Sequence, residues 1–111
     1  MDIDLTKLSN TMVYSQLYNM IANPENFIGK TVKLRGKYGV YDGENRKYYV
    51  CEVWDETACC SQGLEFILAD SEEYPDYNPD LPITIEVTGT LNTYIEDSQP
   101  YVQLENATIR R

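Results

Sequence analysis

The chain has no histidine, so the side chain most often used as a general base near neutral pH is missing. Basic residues are scarce: 9 Lys and Arg stand against 18 Asp and Glu, for a formal net charge of −9. A chain of that sign repels a phosphate backbone unless its cations are gathered on one face. No apolar run is long enough to cross a bilayer as a helix. The opening "MDIDLTKLSN" is polar and acidic, where an export signal is basic and then apolar. Phenylalanine and tryptophan are nearly absent, at two and one, so ten tyrosines carry the aromatic load. Nucleophile elbows, Walker loops and HExxH motifs are absent too. The carboxylate pair Glu72–Glu73 falls in a segment that reads as an exposed loop, where no burial would tune a pKa. The expectation is a protein that is not an enzyme and carries no cofactor.

Cysteine is sparse and oddly placed. Cys51 precedes the turn "DETACC", which ends in adjacent Cys59 and Cys60. Structural zinc asks for four ligands in spaced pairs, and adjacent thiolates cannot both reach one ion without strain, even with Asp55 or Glu56 as a fourth ligand. A redox centre asks for C-x-x-C beside a cation or a helix start, and the neighbours here are acidic. Two readings stay open: a Cys51–Cys60 or Cys51–Cys59 disulfide between strand neighbours, or small buried thiols without chemistry. No metal is expected.

What is present is a length and an alternation. A chain of 111 residues suits one domain, and 42% hydrophobic with 24% charged residues suits a folded one. Tyrosine fits a pleated, half-buried surface, which leans the chain towards β structure. Residues 1–9 read as an N-terminal tail and 10–111 as a single domain. In "NTMVYSQLYNMIA", residues 10–22, Val13, Leu17, Met20 and Ile21 recur at helical spacing, and Tyr14 and Tyr18 widen the stripe. Ser9, Asn10 or Thr11 can cap this helix, and Pro24 stops it.

From Thr31 the period becomes two. "TVKLRGKYGVY" sets Val32, Leu34, Tyr38 and Val40 against Lys33, Arg35 and Lys37. A hairpin connection, "DGENR" at 42–46, leads to further strands at 47–54, 63–69, 83–96 and 101–109. An acidic loop with three prolines occupies 70–82. Gly36 and Gly89 interrupt the long first and fourth strands, where a residue without a side chain lets a strand bend. The fold class expected is mainly β: a five-stranded antiparallel barrel closed at one end by the N-terminal helix.

"NPENFIGKTVKLRGKY", "YVCEVWDETACCSQGLEF", "YP" at 74–75 and "ITIEVTGTLNTY" together resemble small bacterial OB-fold-type domains of unknown function. The resemblance spans residues 10–109. It implies an OB-like barrel, and it implies the exported part of a surface lipoprotein. The expected location is the cell surface or the outside after removal of an export signal, with the cytoplasm as the alternative. A membrane contact would come only through a lipid anchor outside this chain. The helix usual between the third and fourth OB strands has no room in the 70–82 loop.

The ligand surface expected on such a fold is the outer face of the second and third strands with the connections 42–46 and 97–100. The residues singled out are Tyr48, Trp54 and Tyr94 as stacking platforms, Glu52, and the stripe Lys33, Arg35 and Lys37. Asp42, Glu44 and Asn45 are further polar groups beside it, or only a turn. The stripe also reads as a solvated strand face paired with Glu52, Glu86 or Glu96. The function expected is a non-catalytic binding module for a protein, peptide or glycan. The alternative is a single-stranded nucleic-acid binder that uses the basic stripe.

Overall fold

Ser9 starts the helix: its side-chain oxygen accepts from the Met12 amide N–H at 3.3 Å, which fills one of the unpaired donors of the first turn. The computed structural model describes residues 2–54 and 61–111. Helix α1 runs Asn10–Ala22 and buries Val13, Leu17 and Met20 against β3 (Lys47–Trp54) and β4 (Ser61–Leu68). The buried stripe is narrower than the apolar pattern suggests, because Tyr18 and Ile21 stay exposed. Pro24 opens a single 3₁₀ turn, Pro24–Asn26. Gly29 then takes φ +85, a left-handed value that favours glycine. Its N–H donates to the Leu91 carbonyl at 2.9 Å, and the Leu91 N–H donates to the Lys30 carbonyl at 2.9 Å. The connection is thereby fastened to the sheet.

The segment expected to be a tail is a structural element. Ile3–Asp4 forms β1, parallel to β2 (Thr31–Asp42), with Ile3 opposite Val32. A 3₁₀ turn, Leu5–Lys7, follows, and Leu5 is 2% exposed. Asp2 and Asp4 hold this segment by accepting from the Thr31 and Thr6 amides, each at 2.9 Å. Two residues are too few for a period of two to be visible in the sequence.

The remaining strands are β5 (Thr84–Glu96) and β6 (Gln99–Arg110). The chain is mainly β, but the sheet has six strands and is mixed, which corrects the expected five-stranded, wholly antiparallel arrangement. Besides β1–β2, the parallel pair is β4–β6. The reason is a matter of parity. β2 pairs with both β3 and β5, so the pairings β2–β3–β4–β6–β5 return to β2. Directions cannot alternate all the way round a circuit with an odd number of members. One neighbouring pair must run the same way, and the long connection after β4 puts that pair at β4–β6.

β2 changes partners midway. Residues 31–37 pair with β5 and residues 37–42 pair with β3, so one partner gives way to the other at Lys37. Gly36 sits at this switch, and a Cβ there would lie 2.4 Å from the Glu52 carbonyl oxygen. Gly89 faces a register shift between β5 and β6, with Asn106 opposite at φ 50. The inward rows of all five long strands meet in one core, with Leu34, Phe66, Leu91 and Leu104 fully buried. Among the described residues, no helix is long and apolar enough to cross a membrane.

Candidate functional site

The outward row of β3 carries Tyr48, Val50, Glu52 and Trp54, since alternate residues share a face. Cross-strand register extends that row. Val50 lies opposite Glu65 of β4, Glu65 opposite Gln103 of β6, and Gln103 opposite Asn92 of β5. One step along, Tyr94 lies opposite Tyr101. Two turns flank this surface: residues 43–46 between β2 and β3, and Asp97–Ser98 between β5 and β6.

Arg46, at the end of the first turn, joins the surface together. Its Nη1 lies 2.8 Å from Glu65 Oε2 and its Nε 3.3 Å from Glu96 Oε2, while Nη2 donates to the Tyr94 hydroxyl at 3.0 Å. The guanidinium carbon stands 4.1 Å from the centre of the Tyr48 ring and 5.4 Å from that of Tyr94. Tyr94 donates its hydroxyl proton to Glu65 Oε1, and Tyr48 donates to Glu96 Oε1. Glu65 is the one buried charged side chain among the described residues, and both its oxygens are engaged. Burial, then the bond to Glu65, raises the Tyr94 pKa. The bond to Glu65 likewise raises that of Arg46. The Tyr48 hydroxyl, and then Arg46, hold the Glu96 carboxyl below its usual range. Chemically this is a fixed platform: buried Glu65 paired with half-buried Arg46, and beside it the Tyr101 ring, 44% exposed and stacked 5.6 Å from Tyr94.

The residues singled out from the sequence fall at the two ends of the β3 outer face. Tyr48 and Tyr94 belong to the Arg46 cluster. Glu52 accepts the Tyr41 hydroxyl proton, which raises the Tyr41 pKa to about 12. Trp54 lines a recess of about 300 Å³ with Asn10, Arg35, Lys37 and Glu52, and its carbonyl accepts from the Asn10 amide. Lys33 and Arg35 both reach Glu86, at 3.1 and 2.7 Å, and these contacts lower the Glu86 pKa, with Arg35 the larger cause. A second recess, of about 410 Å³, adds Arg110 and Arg111 to Lys33 and Arg35.

Sequence reasoning did not assign Glu65 or Tyr101 to a site; it named Glu96 only as a partner for the basic stripe and Arg46 only as a cation following the hairpin. Glu65 had a visible signal, as the lone charge inside the apolar run "GLEFILA". Cys51 is fully buried, and that burial pushes its thiol up to about 12. Cys59, Cys60, Asp55 and Glu56, and with them the Cys51–Cys60 pairing, lie outside the described residues. Among the described residues no three potential metal ligands come together. No protein-family model, curated protein or solved structure matches this chain.

Proposed function

We propose that the protein is a non-catalytic binding module on an OB-type barrel, and that a protein, peptide or glycan partner docks on the outer face of β3–β4–β6–β5. The closed circuit of strand pairings supports the barrel reading, since β2 borders both β3 and β5. One observation carries the binding reading. Tyr48, Tyr94 and Tyr101 share a face with an internally paired Arg46–Glu65–Glu96 cluster, between two hairpin turns. A rigid aromatic surface with few rotamers left to freeze binds at low entropic cost. The carboxylates are committed to Arg46 and to tyrosine hydroxyls, which supports binding rather than acid–base chemistry. The resemblance to exported lipoprotein domains supports a location outside the cytoplasm.

A second reading has its own observation. Trp54, Arg35 and Lys37 meet at one recess, and Arg110 and Arg111 border the next, a combination that suits a single-stranded nucleic acid. Glu86 neutralises part of this patch, and the net charge of −9 opposes a polyanion.

Parallel screens of a glycan array, a random-peptide library and fluorescent oligonucleotides test both readings. The expected result is a peptide or glycan hit that Tyr101→Ala weakens at least about tenfold, with Arg35→Ala leaving it unchanged. Salt-sensitive oligonucleotide binding lost in Arg35→Ala would replace the first reading with the second. Absence of any hit that Tyr101→Ala weakens would remove the outer face as the docking surface.

A further inference from the structure

The inner face of the β2–β3 hairpin runs past the core. There Tyr38, Val40 and Asp42 of β2 and Lys47 and Tyr49 of β3 meet the loop at Tyr74–Pro79, around a groove of about 510 Å³. That volume lies within the range of small-ligand sites.

Tyrosines form the walls, and they are set before any ligand arrives. The rings of Tyr49 and Tyr74 stack with centroids 3.8 Å apart, and Tyr77 stands edge-on to Tyr38 at 5.9 Å and 86°. Tyr38 donates its hydroxyl proton to the Pro75 carbonyl at 2.8 Å, and the Tyr74 hydroxyl accepts from the Leu68 amide at 3.0 Å. Tyr77 remains 41% exposed.

The rim, in contrast, is polar and uncommitted. The side chains of Asp42, Lys47 and Asp76 and the hydroxyls of Tyr49 and Tyr77 make no hydrogen bond or ion pair with another described residue. Asp42 and Lys47 are even opposite in register, and still form no ion pair. Fixed rings below and unspent donors and acceptors above describe a ligand with an apolar face and a belt of hydroxyls.

We propose that this groove is a saccharide site that takes one or two neutral pyranose units. The C–H face of a sugar ring would lie on the exposed tyrosine. Asp42 and Asp76 would accept from sugar hydroxyls, and Lys47 and the free phenols would donate. A purely apolar ligand would bury the rim carboxylates without partners. At the lining itself an anionic ligand would meet two carboxylates, Asp42 and Asp76, against the one ammonium of Lys47, although the Arg111 guanidinium acts on Tyr38 from nearby. A neutral polyol suffers neither penalty. The groove lies on the opposite side of the β2–β3 hairpin from the Tyr48–Tyr94–Tyr101 face, so it stands whether or not that face has a partner.

Titration of the ¹⁵N-labelled full chain with maltose, cellobiose and N,N′-diacetylchitobiose tests the site. At least one sugar is expected to give saturable amide shifts concentrated at residues 38–49 and 74–79, with a Kd on the order of 1 mM. Tyr77→Ala should weaken it about tenfold and Asp42→Asn about fivefold. Tyr77→Phe, which keeps the ring, should stay within about threefold. Residues 92–94 and 101–103 of the outer face should show no saturable shifts with these sugars, which separates this site from the outer face. Absence of groove shifts with all three sugars up to about 50 mM would overturn the assignment. So would shifts produced by decaproline instead of sugars, or sugar binding by Tyr77→Ala equal to that of the parent.

Discussion

At the scale of single residues, Gly36 decides whether β2 can serve two partners. Its missing side chain lets the Glu52 carbonyl approach to where a Cβ would stand 2.4 Å away, with the Cys51 sulfur at 3.1 Å. A backbone carbonyl in a ladder cannot yield as a flexible side chain can. Gly36→Ala should therefore destabilise the fold by about 2 kcal/mol, read as a lower denaturant midpoint with an unchanged slope. A midpoint equal to the parent's would mean that β3 can move away freely, and that the close approach at Gly36 is not needed for the change of partner. Gly36 was legible in the sequence because it breaks an alternating row of Val, Leu and Tyr. Glu65 was half legible: its oddity was plain, but its partner was not. Arg46 lies 19 residues away in sequence and reaches Glu65 only because β3 and β4 pair in one particular register. Side-chain pairs of that kind depend on tertiary register, which local pattern does not carry.

At the scale of elements, periodicity did most of the work. The helix over 10–22 and the long strands beginning at Thr31 and Lys47 were visible, because each has a buried face that repeats. β1 was invisible, being two residues long and recruited by pairing with β2 rather than by its own pattern. The β5–β6 connection shows a finer gap. "DSQP" reads as a turn of four residues, yet Gln99 and Pro100 already belong to β6. The turn is Asp97–Ser98, with φ of 51 and 66. Positive φ at both positions marks the hairpin turn whose twist matches its strands, and it prefers Asn-Gly. Asp97→Asn combined with Ser98→Gly should therefore stabilise the protein by about 1 kcal/mol. Thermal unfolding would register this as a higher midpoint. A fall instead would mean that contacts of the native Asp97 or Ser98 side chains outweigh the backbone preference.

At the scale of the whole molecule, the tyrosines couple the fold to pH. In the folded chain, burial raises the pKa of Tyr38 to about 12, and the bond to Glu52 raises that of Tyr41 to about 12 from an ordinary value of 10. Tyr94, through burial, and Tyr48, through its bond to Glu96, also move upward. These groups hold their protons more tightly folded than unfolded. Their stabilisation is complete below the unfolded value near 10 and is lost as pH rises through the folded values towards 12. Buried Cys51 acts in the same direction, from 9 towards about 12. On the acid side the sign reverses. Glu86, held low by Arg35 and Lys33, and Glu96, held low by Tyr48 and Arg46, stabilise above the ordinary carboxylate range and lose that contribution as pH falls through their lowered values. The Arg46 cluster thus contributes at both edges, because deprotonating Tyr94 or Tyr48 puts a second negative charge against Glu65 or Glu96. Tyrosinate absorbance and far-ultraviolet circular dichroism, recorded together from pH 8 to pH 13, should show these four phenols ionising late and in step with loss of β structure between pH 10 and 12. Tyrosinate absorbance complete near pH 10, with the β signal untouched, would mean that the four hydroxyls are not held as the hydrogen-bond geometry places them.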